Sequence, residues 1–289
     1  MKQSMLEFSD ATKIFETKNG PFVAVEGVNL RIEEGEFVSV MGHSGCGKST
    51  LLNMVAGLST CSRGGVSLRG REITEPGPER MVVFQNYSLL PWMNVQQNIH
   101  LAIKTCRKDL NRKEQKEETM RYIEMVGLSH AAHRMPKEIS GGMKQRASIA
   151  RALAVQPKVL LLDEPFGALD ALTREELQDE LLEIWEENRA TVLMITHDVD
   201  EAIVLSDRIV LMTNGPAAGI GDIFDVPLQR PRDRESLLED PAFYTLRNQV
   251  ISYLYGKQGD YHEGDEAENT LIGAEAYTSS HPKEELQQA

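Results

Sequence analysis

A glycine-rich segment that ends in a lysine is the first feature of this sequence that could do chemistry. Its spacing, G-x-x-x-x-G-K-[ST], is typical of loops that cradle phosphates with backbone N–H groups. Lys48 would supply a positive charge to the β- and γ-phosphates of a nucleotide, and the Ser49 hydroxyl could ligate Mg²⁺. A strand is predicted before the loop and a helix after it, as such a site requires. The loop consists of Gly42, His43, Ser44, Gly45, Cys46, Gly47, Lys48, Ser49 and Thr50.

Two adjacent acids form a second candidate site. Asp163 and Glu164 follow the apolar run 159–162, which reads as a strand buried on both faces. Because parallel strands end at one edge of their sheet, these acids are expected beside the phosphate loop. Asp163 could hold the Mg²⁺ shell, and Glu164 could activate the attacking water as general base. The alternative is a solvated acid pair that starts an ordinary loop.

A serine followed by two glycines opens a predicted helix at residues 141–155. Ser140 would be the N-cap, and Gly141 and Gly142 leave the amides of the first turn open to an anion. One nucleotide does not need two such sites from the same chain, so the second would face the γ-phosphate bound by another subunit. The alternative is an ordinary capped helix.

Three further side chains gain meaning only from their context. His197 follows a predicted strand and could hydrogen-bond the γ-phosphate and the attacking water, although a lone histidine is more often structural. Gln85, also at a strand end, could reach the metal or the water. Phe15 alone would be interpreted as a core residue.

Together these segments resemble the ATP-binding-cassette (ABC) ATPase subunits of membrane transporters, over residues 5–225. Residues 42–50 match the Walker A motif, 159–164 match Walker B, 140–145 match the signature motif and 168–170 match the D-loop. The resemblance implies that Gln85 lies in the Q-loop, that His197 is the switch histidine and that Phe15 stacks on adenine. It further implies ATP and Mg²⁺ as cofactors, with Ser49, Gln85 and Asp163 around the metal.

The family also implies a mechanism and partners. Two cassettes would dimerise head to tail, so that each ATP lies between Lys48 of one chain and Ser140 and Gly142 of the other. Hydrolysis through Glu164 and His197 would then release the dimer. The signature here has Met143 where the family usually has glutamine, and an adenine-stacking Phe15 replaces the common tyrosine. The first change puts only glutamine-specific contacts in doubt, and the second loses a hydroxyl.

The finer resemblance concerns the transported solute. Segment 75–92 is similar to importers of the nitrate, sulfonate and taurine group, and segments 214–218 and 230–248 are more similar to its nitrate, bicarbonate and cyanate branch. This ranks nitrate with nitrite first, bicarbonate and cyanate next, and taurine or other sulfonates last. The chain would sit peripherally on the cytoplasmic face of the inner membrane.

The resemblance implies three kinds of partner. The first is a set of integral-membrane permease subunits, whose cytoplasmic helices would dock at the helical block and at the loop after Gln85 with Pro91 and Trp92. The second is another ABC ATPase subunit, identical or different, which in this branch can carry a fused solute-binding domain. The third is an extracytoplasmic solute-binding protein that acts through the complex.

The predicted fold class is α/β. It comprises a P-loop NTPase core with a parallel sheet, an N-terminal antiparallel β-subdomain and an inserted α-helical subdomain. The expected organisation is an ATPase domain at 5–235 with the helical subdomain at about 88–157, a C-terminal helix at 236–256 and an acidic tail. The tail, 257–289, has eight acids against two lysines and is predicted to be disordered.

Local patterns give more detailed expectations. Short strands are predicted at 6–8, 23–25 and 28–32, and the helix from Lys48 is expected to end at Gly57 or Thr60 with Leu58 on its buried side. Residues 173–176 fit a capping box. The arginines at 230, 232 and 234 are interpreted as a solvated basic face, with a regulatory or dimer contact as the alternative.

Composition argues against other classes of function. The formal net charge is −13, which is unfavourable for binding nucleic acid through its phosphates. A soluble cassette ATPase acting on nucleic acid or ribosomes is the less favoured alternative, since the sequence has no long heptad run. A small-molecule kinase would not need the segment at Ser140. Three cysteines without paired spacing predict reduced thiols and a cytosolic protein.

Overall fold

Two β-sheets organise the part of the chain that the structure, a computed structural model, describes, residues 4–256. The strands are β1 Ser4–Thr17, β2 Gly20–Glu33, β3 Phe37–Met41, β4 Arg63–Leu68, β5 Arg71–Glu72, β6 Arg80–Val83, β7 Val159–Asp163, β8 Thr191–Ile195, β9 Arg208–Met212 and β10 Ile220–Asp225. The helices are α1 Lys48–Ala56, α2 Val95–Cys106, α3 Arg112–Met125, α4 Gly141–Leu153, α5 Ala171–Asn188, α6 Val199–Leu205, α7 Arg234–Glu239 and α8 Pro241–Gly256.

The larger sheet positions the candidate chemistry. Its strand order is β10-β9-β3-β8-β7-β6, and all neighbours are parallel except β10, which pairs antiparallel with β9. β3 and β8 are buried along their whole length, because helices or the second sheet cover both faces. The predicted fold class is confirmed, with a parallel sheet and an antiparallel sheet in one mixed α/β fold.

The smaller sheet is antiparallel, and its strands are longer than predicted. Its order is β2-β1-β4-β5, and β1 and β2 each run for 14 residues rather than as short pieces. Their pairing contains several register shifts, including one between Phe8 and Ala11. Such bulges interrupt the alternation of apolar and polar residues, so the prediction of short strands at 6–8, 23–25 and 28–32 was wrong.

Three helices, α2, α3 and α4, lie between β6 and β7. Capping boxes at Asn94 and Asn111 start the first two, and Ser140 caps the third by accepting a hydrogen bond from Met143 N–H. Buried Ile99 and Ile123 contribute to the core that these helices share with the parallel sheet. The predicted helical character of this stretch and the cap at Ser140 are confirmed.

The end of α1 and the start of α5 test two local predictions. Helix α1 stops at Ala56, because Gly57 takes up a left-handed conformation and caps it, and Leu58 beyond it is 56% exposed. Helix α5 begins before the predicted capping box: Asp170 is the N-cap, and its carboxylate accepts the Thr173 N–H. The predicted end of α1 at Gly57 is confirmed. The burial of Leu58 and the capping box at 173–176 were wrong, because each helix is capped by a residue that precedes them.

The C-terminal helix predicted at 236–256 is two helices, α7 and α8, separated at Asp240. The residue before a proline is disfavoured in a helix, and here Pro241 opens α8. Phe243, Leu246 and Val250 are buried, as their helical spacing predicts. The predicted tail, 257–289, lies outside the described residues.

The arginines expected on a solvated face instead anchor the chain to the core. Arg230 packs over the Trp185 ring and pairs with Asp207 at 2.8 Å, and Arg234 pairs with Asp179 at 2.7 Å. Arg232 donates to three carbonyl oxygens at the end of α6, those of Ile203, Val204 and Ser206. The prediction was wrong because the partners of these arginines, backbone carbonyls and acids from other elements, are distant in the sequence and come close only in the folded chain.

Arg232→Met should destabilise the protein without touching the phosphate loop. Burial lowers the pKa of Arg232 to about 10, so the guanidinium is charged at neutral pH, and its loss leaves helix-end carbonyls without their donor. We expect unfolding to become easier by about 1–3 kcal/mol, measured by thermal or urea unfolding. Arg31→Met is the matched control, because Arg31 is an exposed arginine whose pair with Glu7 is worth little. Equal stability of the two variants would contradict the anchoring role.

Candidate active site

The phosphate loop joins β3 to α1 and is held open by glycines. Gly47 has φ near 89°, and a Cβ there would lie 2.4 Å from Val25 Cγ1, so a side chain is excluded by both conformation and space. The Lys48 ammonium folds back and donates to the Gly42 and His43 carbonyls at 2.7 and 2.9 Å. The lysine charge therefore lies beneath the loop, and only 8% of Lys48 is exposed.

A cavity of about 450 Å³ lies over this loop. It is lined by Phe15, Phe22, Ala24, Gly42, Ser44, Gly45, Gly47, Lys48, Ser49, Thr50, Glu164 and His197. Phe15 and Phe22 are register partners across β1 and β2, and both rings are more than 40% exposed. Two exposed aromatic faces at one end and a cationic loop at the other suit a planar base carrying phosphates.

The carboxylate of Glu164 is the meeting point of two predicted site residues. Gln85 Nε2 donates to Glu164 Oε2 at 3.2 Å, and His197 Nδ1 lies 3.7 Å from the same oxygen. Glu164 has a positive φ of 46°, and its N–H donates to the Ile195 carbonyl at 3.0 Å. The end of β8 thus fixes the backbone from which the carboxylate projects.

The residues predicted to hold Mg²⁺ offer oxygen ligands, as that ion prefers. Ser49 and Lys48 both lie close enough to the Asp163 carboxylate to oppose the rise of its pKa, so two of these ligands are neighbours beside Lys48. Burial, reinforced by the neighbouring charge of Glu164, raises the pKa of Asp163 above its usual value. A cation would offset that cost, so the site fits Mg²⁺. Gln85 turns its amide nitrogen to Glu164, and its role at the metal stays a prediction.

The signature residues occupy a different part of the surface. Ser140 and Gly142 are not among the residues that line the cavity in the described part of the chain. They open α4, where Gly141 lies close to the Tyr87 hydroxyl and Gly142 packs against the Thr173 side chain. Ser140 is exposed, so this helix end is accessible to a second molecule.

Two residues of the phosphate loop face away from the cavity. Cys46 is buried, and burial raises the pKa of its thiol, so it suits the role of a small filler better than that of a nucleophile. His43 Nε2 donates to the Leu254 carbonyl of α8 at 2.9 Å. The loop is therefore tied to the C-terminal helix as well as to the sheet.

Sequence reasoning missed Phe22 as a cavity residue. The signal that could have found it is the hairpin itself: the two-residue turn between β1 and β2 places Phe22 directly opposite Phe15. The bulged alternation of these strands hid that pairing.

Comparison with known proteins gives the class. The family described as "ABC transporter" matches residues 25–167. A dimeric solved structure of the ATP-binding cassette MJ0796, in a post-hydrolysis state bound to ADP and phosphate, superposes with a TM-score of 0.69 at 31% identity, covering 78% of this chain and 100% of that one. The chain belongs to the ABC transporter family, and it is an ATP-binding, ATP-hydrolysing subunit.

Curated relatives narrow the class further. The chain is 58% identical to the nitrate import ATP-binding protein NrtD of Synechococcus elongatus, covering 86% of this chain and 91% of that protein. It is 57% identical to the bicarbonate transport ATP-binding protein CmpD of the same organism, over 86% and 89%. The nitrate import ATP-binding protein NrtC is 58% identical over 81% of this chain, which spans only 36% of NrtC.

Lys48→Ala should weaken ATP binding itself. The variant removes the positive charge that the Gly42 and His43 carbonyls hold beneath the loop, so we expect nucleotide affinity to fall by at least about tenfold, as for loss of a charge-assisted hydrogen bond. Titration with a fluorescent ATP analogue measures this. Lys113→Ala, on an exposed lysine of α3, should bind as the wild type does. Unchanged affinity of Lys48→Ala would show that the loop amides suffice.

Proposed function

We propose that this chain powers the import of a small inorganic anion, nitrate with nitrite first, through a membrane ABC transporter. The cavity over the phosphate loop carries the ATPase part of the proposal, since it joins aromatic rings, the Lys48 ammonium and the Glu164 carboxylate. The similarity of the chain to NrtD supports the importer part of the proposal. No helix between residues 4 and 256 has the length and apolar character needed to cross a membrane. We infer a peripheral position on the cytoplasmic face, bound to permease subunits.

The proposed mechanism follows from the positions of the side chains. Adenine stacks on Phe15 and Phe22, and the phosphates extend across the loop amides toward Lys48. Glu164 accepts a proton from the attacking water, whose oxygen attacks the γ-phosphorus while ADP leaves. His197, 3.7 Å from the Glu164 carboxylate, orients the γ-phosphate and the water. Bound Mg²⁺ would neutralise charge on the phosphates, held by Ser49 and Asp163 with Gln85 near it.

The site of one chain is only half of the proposed active site. Ser140, Gly141 and Gly142 present a capped helix N-terminus away from the cavity of their own chain. A head-to-tail dimer would bring this end onto the γ-phosphate held by Lys48 of the other chain. The second subunit is either another copy or a different cassette, such as a longer protein with a fused solute-binding domain.

Glu164→Gln should separate ATP binding from hydrolysis. The amide keeps the shape of the side chain but cannot accept the proton of the water, so ATP binding persists while turnover falls by at least about 100-fold, as when a general base is lost. Because the dimer would open only after hydrolysis, gel filtration with ATP should show a trapped dimer. Glu117→Gln, on an exposed acid of α3, is the control and should hydrolyse ATP normally. Normal turnover by Glu164→Gln would sink the general-base role.

The choice of solute rests on names of relatives that differ by one percentage point in identity. ATP-binding subunits do not touch the solute, so the residues of this site favour none of them. The proposed order is the one that the sequence resemblance gave: nitrate with nitrite first, bicarbonate and cyanate next, and taurine or other sulfonates last. The same ATPase role on nucleic acid or ribosomes is the remaining alternative, which the acidic net charge disfavours.

Detergent purification of this chain from its native membranes, with sequencing of every protein that accompanies it, tests the transporter role. We expect a multi-span permease, which would dock at the loop that exposes 69% of Trp92, and a second cassette. The recovered complex, placed in vesicles with its solute-binding protein, should hydrolyse ATP faster when nitrate is added. Stimulation by bicarbonate or cyanate alone would move the assignment to that anion. Recovery of soluble partners only would overturn the importer proposal.

A further inference from the structure

A buried acid lies directly beneath the loop that carries His197. Glu201, in the first turn of α6, is only 6% exposed, and Thr196, at the end of β8, is 1% exposed. The Thr196 hydroxyl donates to Glu201 Oε2 at 2.7 Å. The other carboxylate oxygen, Oε1, is buried without a hydrogen-bond partner among the described residues. A half-satisfied carboxyl in the core is costly, so its retention calls for a reason.

The hydrogen bonds of Thr196 lock the backbone around the histidine. The Thr196 hydroxyl oxygen accepts a hydrogen bond from the Asp198 N–H at 3.0 Å, and the same hydroxyl donates its hydrogen bond to Glu201. The Glu201 N–H in turn donates to Asp198 Oδ1 at 3.1 Å. These bonds close a ring around His197, which contributes no side-chain atom to it.

A second contact holds the same loop from the other side. Arg174 of α5 lies 3.4 Å from Asp198 Oδ2, and it donates to the Leu169 carbonyl at 3.1 Å. The histidine loop is thus fixed between α5 and α6. Within it His197 remains exposed and faces Glu164.

We propose that Glu201 is a positioning residue for ATP hydrolysis, which acts through the Thr196 hydroxyl to fix the loop that places His197 beside Glu164. The inference rests on the roles proposed above for His197 and Glu164, and it deepens them. Glu201 touches neither nucleotide nor water, so its effect should appear in kcat and leave nucleotide affinity unchanged.

The ionisation of Glu201 gives the proposal a distinctive signature. Burial, opposed by the hydrogen bond from Thr196, raises the pKa of Glu201 to about 7. The negative charges of Asp198 and Glu164 also raise this pKa, and the positive charge of Arg174 lowers it. Above that pH the carboxylate accepts the Thr196 proton in a charge-assisted bond, which is stronger than a neutral one. Below it the acid is neutral and holds the loop less tightly.

Substitutions of Thr196 test the hydrogen bond itself. Thr196→Val keeps the shape but removes the hydroxyl, so we expect kcat to fall by about tenfold, the equivalent of one buried hydrogen bond, with ATP affinity within about twofold of the wild type. Thr196→Ser restores the hydroxyl and should recover most of kcat. A full kcat in Thr196→Val, or a loss that Thr196→Ser does not rescue, would overturn the proposal.

Glu201→Gln tests the charge. The amide oxygen can accept the same hydrogen bond without ionising, so the variant should match wild-type kcat at pH 6 and fall to about one third of it at pH 8, a loss equivalent to the charge-assisted part of the bond. If Glu201 had a purely structural role, the ratio of variant kcat to wild-type kcat would be the same at both pH values, and that result would contradict the inference. Glu117→Gln, on an exposed acid of α3 far from this loop in the sequence, should track the wild type throughout.

Stability provides a readout that is independent of activity. Because the folded pKa of Glu201 lies above its ordinary value of 4.5, its contribution to stability is full below about 4.5 and is lost as pH rises through 7. Glu201→Gln should therefore unfold several degrees higher than the wild type at pH 8 and at about the same temperature at pH 4.5. Equal melting temperatures at pH 8 would contradict a buried, ionising Glu201.

Failure of this inference is distinguishable from failure of the proposed mechanism. His197→Ala and Glu164→Gln, assayed alongside, test the roles on which it rests. If both abolish turnover while Thr196→Val does not, the mechanism stands and the positioning role falls. If either retains normal turnover, the mechanism itself fails, and the positioning inference falls with it.

Discussion

The pairing of β7 with β8 is the constraint on which the candidate site depends. Asp163 is the register partner of Ile195, and the Glu164 N–H continues the ladder by donating to the Ile195 carbonyl. Glu164 and His197 therefore leave the sheet at the same level, and their side chains meet. A register slip of one residue would turn every side chain on β7 to the opposite face and would carry the acids away from the phosphate loop.

The same edge of the sheet collects the rest of the chemistry. β3 delivers the phosphate loop, β6 leads to Gln85, and β7 and β8 deliver Glu164 and His197. These strands are largely apolar because their role is to be buried, whereas the residues just beyond their ends are polar because they face a cavity. Because neighbouring parallel strands end at the same edge of the sheet, segments that are distant in the sequence can form one site there.

How much of this was readable from the sequence depended on the kind of signal. The positions of the phosphate loop and of the acids after β7 were predictable, since the motif spacing and the apolar run before the acids favour a strand that ends at this edge of the sheet over an ordinary loop. Phe22 was hidden by bulges in β1 and β2, and the anchoring of Arg232 by carbonyls that only the fold brings near. The support under His197 was equally invisible, because a threonine and a glutamate five residues apart give no periodic signal and the link between them appears only when β8 meets α6. The order of the helices and strands could thus be predicted from the sequence, whereas side-chain contacts between different elements could not.

The hydrogen bond between His43 and the Leu254 carbonyl gives the C-terminal helix a mechanical part in this architecture. Helix α8 spans 16 residues, about 24 Å of rigid rod, and a second point on it, Arg247, is paired with Asp200 beside the histidine loop at 2.6 Å. Helix α8 is therefore attached both to the glycine-rich loop at His43 and to α6, the helix that follows His197. Any displacement of one loop relative to the other must tilt α8 or break one of these contacts. The candidate site is thus mechanically coupled to α8, whose last described turn carries the bond to His43.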